Sequence, residues 1–361
     1  MKLKSYNSFW QRIHKSAKDK GFPLRVMFEL TYRCNFHCKH CYVPQSYRNY
    51  NELKTKEAFS ILGQLADIGC FYLGFTGGEP FIREDTIDIL WYAKKLGFEI
   101  IIYTNGSLIN EEIAEELVRL RPNKVDITIP AMSESAFERI SGVAGSRDKV
   151  FGAIDLLYGK GVNLGFKTCV LKVNENEISQ IGNFTHSLGV LHRLDDVLSP
   201  CLDGSKEPYE YRGQIGENKK QNRLSEETEC QIANTENRKP NTDNLFKCGV
   251  GVSQAAITPF GELKMCLMID YPKYKILNTS LRECWQRLKG LVNNIKPDEN
   301  YKCNKCELQP YCKWCPAKAW LYNRTFTWCE TENRRGAKIR IQNYSLEEKI
   351  HSYREIDRKA G

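Results

Sequence analysis

Long hydrophobic runs are missing from this chain: its 361 residues contain no uninterrupted stretch of eighteen apolar side chains. A helix that crosses a bilayer needs about 20 such residues, so no transmembrane span is expected. The first twenty residues also lack the apolar core of about 7–15 residues and the small-residue cleavage site of a secretory signal. We therefore expect a cytoplasmic protein without a membrane partner.

Low-complexity tracts and basic stripes interleaved with aromatic residues are also missing. The formal net charge is +9, and much of the positive excess lies in the terminal segments. Without a basic stripe, this charge does not predict nucleic-acid binding. It favours an acidic partner, such as an acidic peptide, or a solvated surface.

Cysteine, in contrast, is abundant: the chain has 15. Three lie near the start, and eight fall between Cys248 and Cys329. Without a secretory signal, a disulfide scaffold is not expected, because thiols stay reduced inside the cell. Clustered cysteines in a reducing compartment predict metal ligands.

The first cluster is the triplet Cys34, Cys38 and Cys41, with spacing C-x3-C-x2-C, directly after the apolar run 26–30. Three thiolates can bind three irons of a [4Fe-4S] cluster, whose full ligation takes four cysteines. The fourth iron would then be open to a small molecule. The alternative is a zinc knuckle in which His37 or His40 is the fourth ligand.

Strand-like and helix-like runs alternate from residue 25 to about residue 200. This alternation predicts a parallel sheet with right-handed crossovers, and six units fit a partial (β/α)6 barrel. Glycines after three helices, Gly69, Gly97 and Gly161, suit C-terminal caps. The predicted strands are Arg25–Leu30, Phe71–Phe75, Glu99–Tyr103, Lys124–Pro130, Asn163–Lys172 and Leu194–Leu198. The predicted helices are Lys56–Asp67, Ile87–Leu96, Glu111–Arg119, Ser133–Ile140, Lys149–Gly159 and Glu177–Ser187.

Polar motifs follow the second and third strands, at the edge where parallel barrels place their chemistry. Gly77 and Gly78 allow the backbone to approach a ligand closely, and Glu79 offers a carboxylate for an ammonium group. Thr104 and Asn105 supply donors and acceptors for a ribose or a carboxylate. The alternative for both motifs is a purely structural turn.

The triplet and the two motifs, in this order at three successive strand ends, resemble the radical S-adenosylmethionine (radical SAM) superfamily. The resemblance covers about residues 25–200. It implies a cluster that reduces SAM to methionine and a 5′-deoxyadenosyl radical, which abstracts hydrogen from a substrate. It also implies an electron donor such as flavodoxin or ferredoxin. The SAM contacts that it implies are Gly77, Gly78, Glu79, Thr104, Asn105, Thr128, Arg139, His40 and Tyr42.

The C-terminal cysteines resemble the small cysteine-rich SPASM extension, which holds auxiliary [4Fe-4S] clusters. By position, Cys248, Cys266 and Cys315 would bind an inner auxiliary cluster, whose fourth iron is open or is closed by another cysteine. The outer auxiliary cluster would be bound by Cys303, Cys306, Cys312 and Cys329. The alternative for this region is a pair of zinc sites.

Five cysteines remain outside these sets. Cys70 and Cys169 lie in apolar runs, which predicts two core residues. Cys201 and Cys230 lie in a polar stretch and are candidate ligands or reactive thiols, and Cys284 lies on a helix. No catalytic base is assigned; Cys201, Cys230 and Asp270 are candidates.

The resemblance implies a peptide substrate. The sequence around Cys312 and Cys315 and the stretch 140–146 are similar to maturases of ribosomally made precursor peptides. Such enzymes form thioether or carbon–carbon crosslinks or epimerise residues. Such maturases often carry an N-terminal peptide-binding domain, and the roughly 24 residues before the barrel are too few for one. The resemblance therefore implies a separate leader-binding protein, or recognition of the peptide by the barrel face and the connector. The alternatives are sulfatase-type Cys or Ser oxidation, a small-molecule dehydrogenase, and a zinc-binding protein without enzymatic activity. Sulfatase-type enzymes carry an Asp where this chain has Leu267, which counts against that role.

Five segments are predicted from these patterns. They are an N-terminal extension (1–24), a radical SAM partial barrel (25–200), a polar connector (201–247), a SPASM domain (248–335) and a C-terminal helix (336–361).

Overall fold

The computed structural model describes residues 12–341, apart from residues 14, 18, 50, 214–244, 247 and 332. Cys230 and most of the predicted connector lie outside the described residues. The predicted C-terminal helix is described only as far as residue 341. None of the described helices is long and apolar enough to cross a membrane.

Nine strands of the described chain form one sheet, with the order β6-β5-β4-β3-β2-β1-β7-β8-β9. Strands β1 to β7 pair in parallel, and β7, β8 and β9 pair antiparallel. The strands are β1 (Arg25–Thr31), β2 (Tyr72–Gly77), β3 (Glu99–Thr104), β4 (Lys124–Thr128), β5 (Leu164–Cys169), β6 (His192–Asp195), β7 (Gln254–Ile257), β8 (Glu262–Lys264) and β9 (Tyr274–Lys275).

Helices follow each of the first five strands and cover one face of the sheet. The helices are α1 (Thr55–Asp67), α2 (Thr86–Lys95), α3 (Glu111–Leu120), α4 (Glu134–Ser141), α5 (Ser146–Gly159), α6 (Ile178–Ser187), α7 (Leu281–Asn294) and α8 (Pro316–Asn323). The six-unit partial barrel is therefore confirmed. The glycines after α1, α2 and α5 have φ values of 92°, 88° and 73°, as expected for caps.

The sixth predicted strand was misplaced. Strand β6 begins at His192 rather than Leu194, because its parallel register with β5 starts at the Phe166–His192 pair. A buried contact of 2.9 Å between His192 Nε2 and Thr168 Oγ1 fixes this register. Strand β4 ends two residues earlier than predicted, at Thr128; Pro130 has no N–H to donate to a ladder.

Alternation along β5 defines the two faces of the sheet. The ring of Phe166 lies 6.4 Å from that of Phe184 in α6, so it points to the helix layer. Residues 167 and 169 therefore point to the opposite, concave face, which we call the inner face.

The cysteine-rich segment starts as a continuation of the barrel sheet, because β7 pairs with β1. Farther along, it contacts the loop after β6 through one carboxylate. Asp196 pairs with Lys313 Nζ at 2.8 Å and with Arg340 Nη1 at 2.9 Å. These pairs bring the segment around Cys312 and Cys315 to the loop that follows β6. The domain bounds themselves stay a prediction.

Candidate active site

The loop that carries the cysteine triplet leaves β1 at the carboxyl edge of the sheet. Its entry is held by Glu52, whose carboxylate accepts hydrogen bonds from Thr31 Oγ1 and Tyr32 N, both at 2.7 Å. Its middle is held by a 2.7 Å hydrogen bond from His37 N to Ser141 O at the end of α4. Contacts that do not involve the thiols therefore hold both the entry and the middle of the loop.

The three thiols of this loop lie in a shared, partly buried environment. Burial raises the pKa of Cys34 to about 11 and also raises the pKa values of Cys38 and Cys41. Arg48 opposes this effect at Cys41, and its Nη1 donates to Phe36 O at 2.9 Å. A cation beside thiols favours their thiolate form. The sequence reasoning missed Arg48.

The three thiols of the loop suit a cluster, because an iron–sulfur cluster takes one thiolate per iron. They share a partly buried environment, in which burial and, after it, Cys41 and Cys34 raise the pKa of Cys38.

The glycine pair after β2 allows close backbone packing, a role that was not predicted from the sequence. A Cβ on Gly77 would lie 2.1 Å from Thr31 O, and a Cβ on Gly78 would lie 2.1 Å from Arg33 O. The amide of Gly78 donates to Thr31 O at 2.7 Å. The glycines thus let this turn pack against the start of the cysteine loop, and a contact with a ligand stays a prediction.

Glu79 is fully buried at the end of this turn. Its Oε1 accepts hydrogen bonds from Thr104 Oγ1 at 2.7 Å and Phe81 N at 3.2 Å, and its Oε2 accepts one from Asn105 N at 2.7 Å. A carboxylate has about four acceptor positions, so Oε2 keeps one for a ligand. Burial raises the pKa of Glu79 to about 7 despite these hydrogen bonds.

Asn105 connects the third strand end to the cysteine loop. Its Nδ2 donates to Asn35 Oδ1 at 2.9 Å and lies 3.9 Å from Cys34 Sγ. Its Oδ1 accepts from Ser107, whose hydroxyl in turn accepts from Asn35 Nδ2 at 2.8 Å. Thr104 and Asn105 are therefore at the site, as predicted for their position, although their contact with SAM is untested.

The other predicted SAM contacts lie in three different places: the end of β4, the cysteine loop and the surface of α4. Thr128 ends β4 and pairs with Lys167 of β5, so it lies at the same edge. His40 lies in the cysteine loop, where burial lowers its pKa to about 4. Arg139 is exposed on α4. The hydroxyl of Tyr42 donates to Glu29 Oε1 at 2.9 Å. A contact between Tyr42 and the adenine of SAM would therefore be made by the tyrosine ring.

Glu29 is the centre of a buried polar group that the sequence reasoning missed. Its Oε2 lies 2.8 Å from Lys264 Nζ, and both side chains are fully buried. Tyr32 also donates to Oε2, at 2.9 Å. Burial, and after it Glu29, raises the pKa values of Tyr32 and Tyr42, so both hydroxyls stay protonated as donors. This group ties the cysteine loop to β8, two residues before Cys266.

The C-terminal thiols fall into two neighbourhoods. Burial raises the pKa of Cys266, and Cys315 and Cys248 raise it further. Burial also raises the pKa of Cys312, and Cys329 and Cys306 contribute to that shift. Cys303 begins the turn that leads to Cys306. The assignment of these thiols to an inner and an outer cluster stays a prediction.

The remaining candidates differ in their placement. The thiol of Cys201 donates to Cys41 O at 3.4 Å, so this residue lies against the cysteine loop. Asp270 pairs with Lys273 Nζ at 2.8 Å and accepts from Tyr47 Oη at 3.2 Å. Cys70 is a core residue, as predicted. Cys169 is partly buried at the carboxyl end of β5 and packs against the core, with its side chain on the inner face of the sheet.

Comparisons with known proteins agree with this arrangement. Residues 28–185 match the family model described as "Radical SAM superfamily". An AdoMet-dependent heme synthase of Methanosarcina barkeri is 24% identical over 82% of this chain and 92% of its own. The subtilosin biosynthesis protein AlbA of Bacillus subtilis is 25% identical over 84% of this chain and 69% of its own.

The fold is shared with a solved structure. SuiB of Streptococcus suis, bound to its precursor peptide SuiA, superposes with a TM-score of 0.66 at 16% identity, over 89% of this chain and 79% of SuiB. The match to the radical SAM family model and the curated relatives, rather than the shared fold, indicate an enzyme whose cofactors are a [4Fe-4S] cluster and S-adenosylmethionine. The family match, the parallel sheet and the thiol loop at its carboxyl edge lead to one assignment: residues 28–185 of this chain form a domain of the radical SAM superfamily.

Proposed function

We propose that this enzyme abstracts a hydrogen atom from a ribosomally made precursor peptide and thereby matures it. One relative is named for the biosynthesis of the bacteriocin subtilosin, and one protein of the same fold has been solved with its precursor peptide. The observation that carries the proposal is that two cysteine-bearing segments contact loops at the carboxyl edge of the sheet. The thiol loop follows β1, and the segment around Cys312 and Cys315 contacts the loop after β6 through the pair of Lys313 with Asp196.

In this proposal, Cys34, Cys38 and Cys41 hold the cluster that meets SAM. When bound, the two cofactors supply a 5′-deoxyadenosyl radical. Arg48 offsets the negative charge of the thiolates from within the loop. The free acceptor position on Glu79 Oε2 takes the ammonium group of SAM. Asn105, Thr128 and the turn at Gly77 and Gly78 line the remaining pocket, and Arg139, His40 and Tyr42 stay candidate contacts.

The second part of the proposal concerns the auxiliary clusters. Cys248, Cys266 and Cys315 bind the inner one, and the pKa shift of Cys266 supports their proximity. Cys303, Cys306, Cys312 and Cys329 bind the outer one. The physiological electron donor is then of the flavodoxin or ferredoxin class.

SAM binding should depend on pH through Glu79. Below its pKa of about 7 this carboxyl is protonated and cannot pair with an ammonium. We expect the SAM dissociation constant of the cluster-loaded enzyme to rise about tenfold for each pH unit below 7 and to level off above it. Glu79→Gln should bind SAM more weakly and lose this dependence. Anaerobic isothermal titration calorimetry from about pH 5.5 to about pH 8 measures both.

Glu52→Gln is the matched control, because Glu52 is also hydrogen-bonded in this region but holds only the loop entry. Its pH profile should match that of the wild type. If Glu79→Gln bound SAM as tightly as the wild type with the same profile, Glu79 would not be the ammonium ligand.

Replacing Cys303 and Cys306 with alanine should separate SAM cleavage from formation of the peptide product. These thiols lie in the cysteine-rich region rather than in the loop after β1. We therefore expect 5′-deoxyadenosine to form still, while the peptide product disappears. Chromatography of deoxyadenosine and mass spectrometry of the peptide measure the two outcomes. Cys284→Ala is the control, since Cys284 is buried in α7. Full product yield in the double variant would contradict an essential outer cluster.

Metal analysis of the anaerobically purified protein tests the proposal as a whole. Three clusters predict about ten to twelve irons per chain with equivalent sulfide, whereas roughly two zinc ions would support the zinc-binding alternative. Synthetic copies of the short peptides encoded next to the gene, incubated with SAM and reductant, should change mass.

A small-molecule substrate is the second candidate, because the heme synthase relative aligns over 92% of its own length. The same assay distinguishes the two: turnover of a haem precursor without turnover of any peptide would favour this candidate. Sulfatase-type oxidation is less well supported. The nearest acid after Cys266 is Asp270, and its carboxylate is paired with Lys273.

A further inference from the structure

The last described part of the chain is strongly basic. Residues 301–341 contain nine Lys and Arg but three Asp and Glu, so this short segment carries a formal charge of +6 out of +9 for the whole chain. A surface with such a charge attracts acidic partners and speeds their encounter. The same segment contains the cysteines assigned to the outer auxiliary cluster.

Most of these cations lie on the surface of the protein. The exposed ones are Lys302, Lys305, Lys313, Arg324, Arg334, Arg335 and Lys338. The exposed acids of this part of the chain are Glu307 and, just before the segment, Asp298 and Glu299. Glu330 is buried. Among the described residues, exposed cations therefore clearly outnumber exposed acids here.

An exposed indole lies within this basic segment, next to the outer set of cysteines. Trp314 follows Cys312 by two residues. Its ring centroid lies 5.4 Å from that of Tyr301, and its Nε1 donates to Trp328 O at 2.8 Å. Trp328 directly precedes Cys329 and is 41% exposed. These contacts hold the start and the end of the outer set together, with the ring of Trp328 at the surface.

Residues 333–341 form a helix that packs back onto the outer set. The thiol of Cys312 donates to Asn333 O at 3.8 Å. Farther along the helix, Arg340 Nε donates to Tyr311 O at 2.7 Å. The helix therefore lies against the segment that carries Cys312.

The opposite side of this helix is basic. Ala337 is fully buried, and Arg340 Nη1 pairs with Asp196 of the barrel at 2.9 Å. Arg334 and Lys338 are one turn apart and exposed. We define the basic surface as the exposed side chains of Lys302, Lys305, Trp328, Arg334, Arg335 and Lys338.

The make-up of the basic surface suits a transient protein partner. It consists of the outward side of one helix, one turn and one aromatic ring. Contacts of electron-transfer proteins are small, below about 1,200 Å² of buried area, and complementary charge speeds their formation. An exposed tryptophan supplies the apolar contact that often dominates such an interface.

We propose that the basic surface docks the acidic electron carrier, of the flavodoxin or ferredoxin class, that reduces this enzyme. This rests on the proposed function and names the surface that its electron donor uses. The carrier is brought next to Cys312 and Cys329, two thiols of the outer set. In each encounter the carrier loses one electron and dissociates. That electron is consumed when SAM is cleaved to methionine and the 5′-deoxyadenosyl radical.

Binding of oxidised bacterial flavodoxin to the cluster-loaded enzyme tests the surface without turnover. Arg334→Glu combined with Lys338→Glu should raise the dissociation constant about tenfold at low salt, because two attractive charges become repulsive. The matched control is Lys56→Glu combined with Lys95→Glu, which changes the net charge equally at exposed positions of α1 and α2. Equal affinities of wild type and the first variant, or equal weakening in the control, would overturn the proposal.

The salt dependence of binding is a second readout. Isothermal titration calorimetry at about 50 mM and about 500 mM salt should show weaker binding by the wild type at high salt, because salt screens exposed charges. The variant with Arg334→Glu and Lys338→Glu should lose less affinity over the same range. Wild-type binding that does not change with salt would contradict docking by charge.

The choice of reductant separates docking from catalysis. With NADPH, flavodoxin reductase and limiting flavodoxin, Arg334→Glu combined with Lys338→Glu should form 5′-deoxyadenosine about tenfold more slowly than the wild type. Dithionite is a small reductant that needs no docking surface, so with it the two enzymes should be equally active. An equal loss of activity with both reductants would contradict the proposal.

Crosslinking of the wild-type enzyme needs no variant. A carbodiimide joins carboxylates of flavodoxin to amines that they contact, and peptide mapping should find Lys302, Lys305 or Lys338 in the joined peptides. Crosslinks confined to lysines elsewhere, such as Lys56 and Lys95, would overturn the proposal.

The precursor peptide is the alternative occupant of the basic surface. Synthetic copies of the short peptides encoded next to the gene should not compete with flavodoxin. If they do, and if reduction by flavodoxin is normal in the variant with Arg334→Glu and Lys338→Glu, the surface binds the peptide and the proposal is wrong. If no peptide changes mass with dithionite-reduced wild type, the proposed function is wrong instead, because carrier binding is measured without peptide.

Discussion

Replacing Cys34, Cys38 and Cys41 together with alanine is expected to abolish SAM cleavage while leaving the fold intact. The loop is held by contacts that do not involve thiols, such as the hydrogen bonds from His37 N to Ser141 O and from Gly78 N to Thr31 O, both 2.7 Å. Without the three thiolates, the cluster that meets SAM has no protein ligands. 5′-Deoxyadenosine should fall below detection in the presence of reductant and peptide.

The same variant should lose about four irons per chain and keep the rest, because the C-terminal cysteines are unchanged. Iron analysis and electron paramagnetic resonance measure this, and circular dichroism reports on the fold. Cys70→Ala is the matched control, since Cys70 is a buried cysteine outside both sets. Full iron content in the triple variant would show that these thiols are not the ligands.

The barrel and the cysteine loop could be predicted from the sequence because their signals are local. Apolar runs separated by amphipathic helices specify βα units, and the triplet spacing is read directly from adjacent residues. The motif at Glu79 and the pair Thr104 and Asn105 were placed correctly because each follows a strand, and parallel strands end at one edge.

Contacts between distant segments could not be read in this way. Glu29 in β1 is an acid in an apolar run, and the neighbouring sequence contains no signal that identifies Lys264 as its partner. Cys169 also lies in an apolar run, which predicted a core residue. Its partial exposure follows from the face to which position 169 points, and this depends on the register with β6. The close approach of the glycine pair to the backbone at Thr31 and Arg33 is another contact of this kind, and the ligand contact expected for these glycines stays a prediction.

Replacing Lys264 with methionine is expected to destabilise the enzyme by about 3–5 kcal/mol, since it leaves the buried Glu29 carboxylate without its cation. Both side chains are 0% exposed and lie 2.8 Å apart. For a chain of this size, the loss corresponds to a decrease in melting temperature on the order of 10 °C. Thermal unfolding followed by circular dichroism measures it.

A double variant separates the destabilisation caused by an unpaired Glu29 from the net contribution of the Glu29–Lys264 ion pair to stability. Glu29→Leu together with Lys264→Met removes both charges, and apolar replacement of a buried pair is often neutral. The double variant should therefore melt well above Lys264→Met alone. Tyr32 and Tyr42 would lose their acceptor on Glu29, so the recovery should be partial. Because these tyrosines flank the cysteine loop, the double variant should also broaden the electron paramagnetic resonance signal of the SAM-binding cluster. If Lys264→Met melts like the wild type, this ion pair does not stabilise the junction between the barrel and the cysteine-rich region.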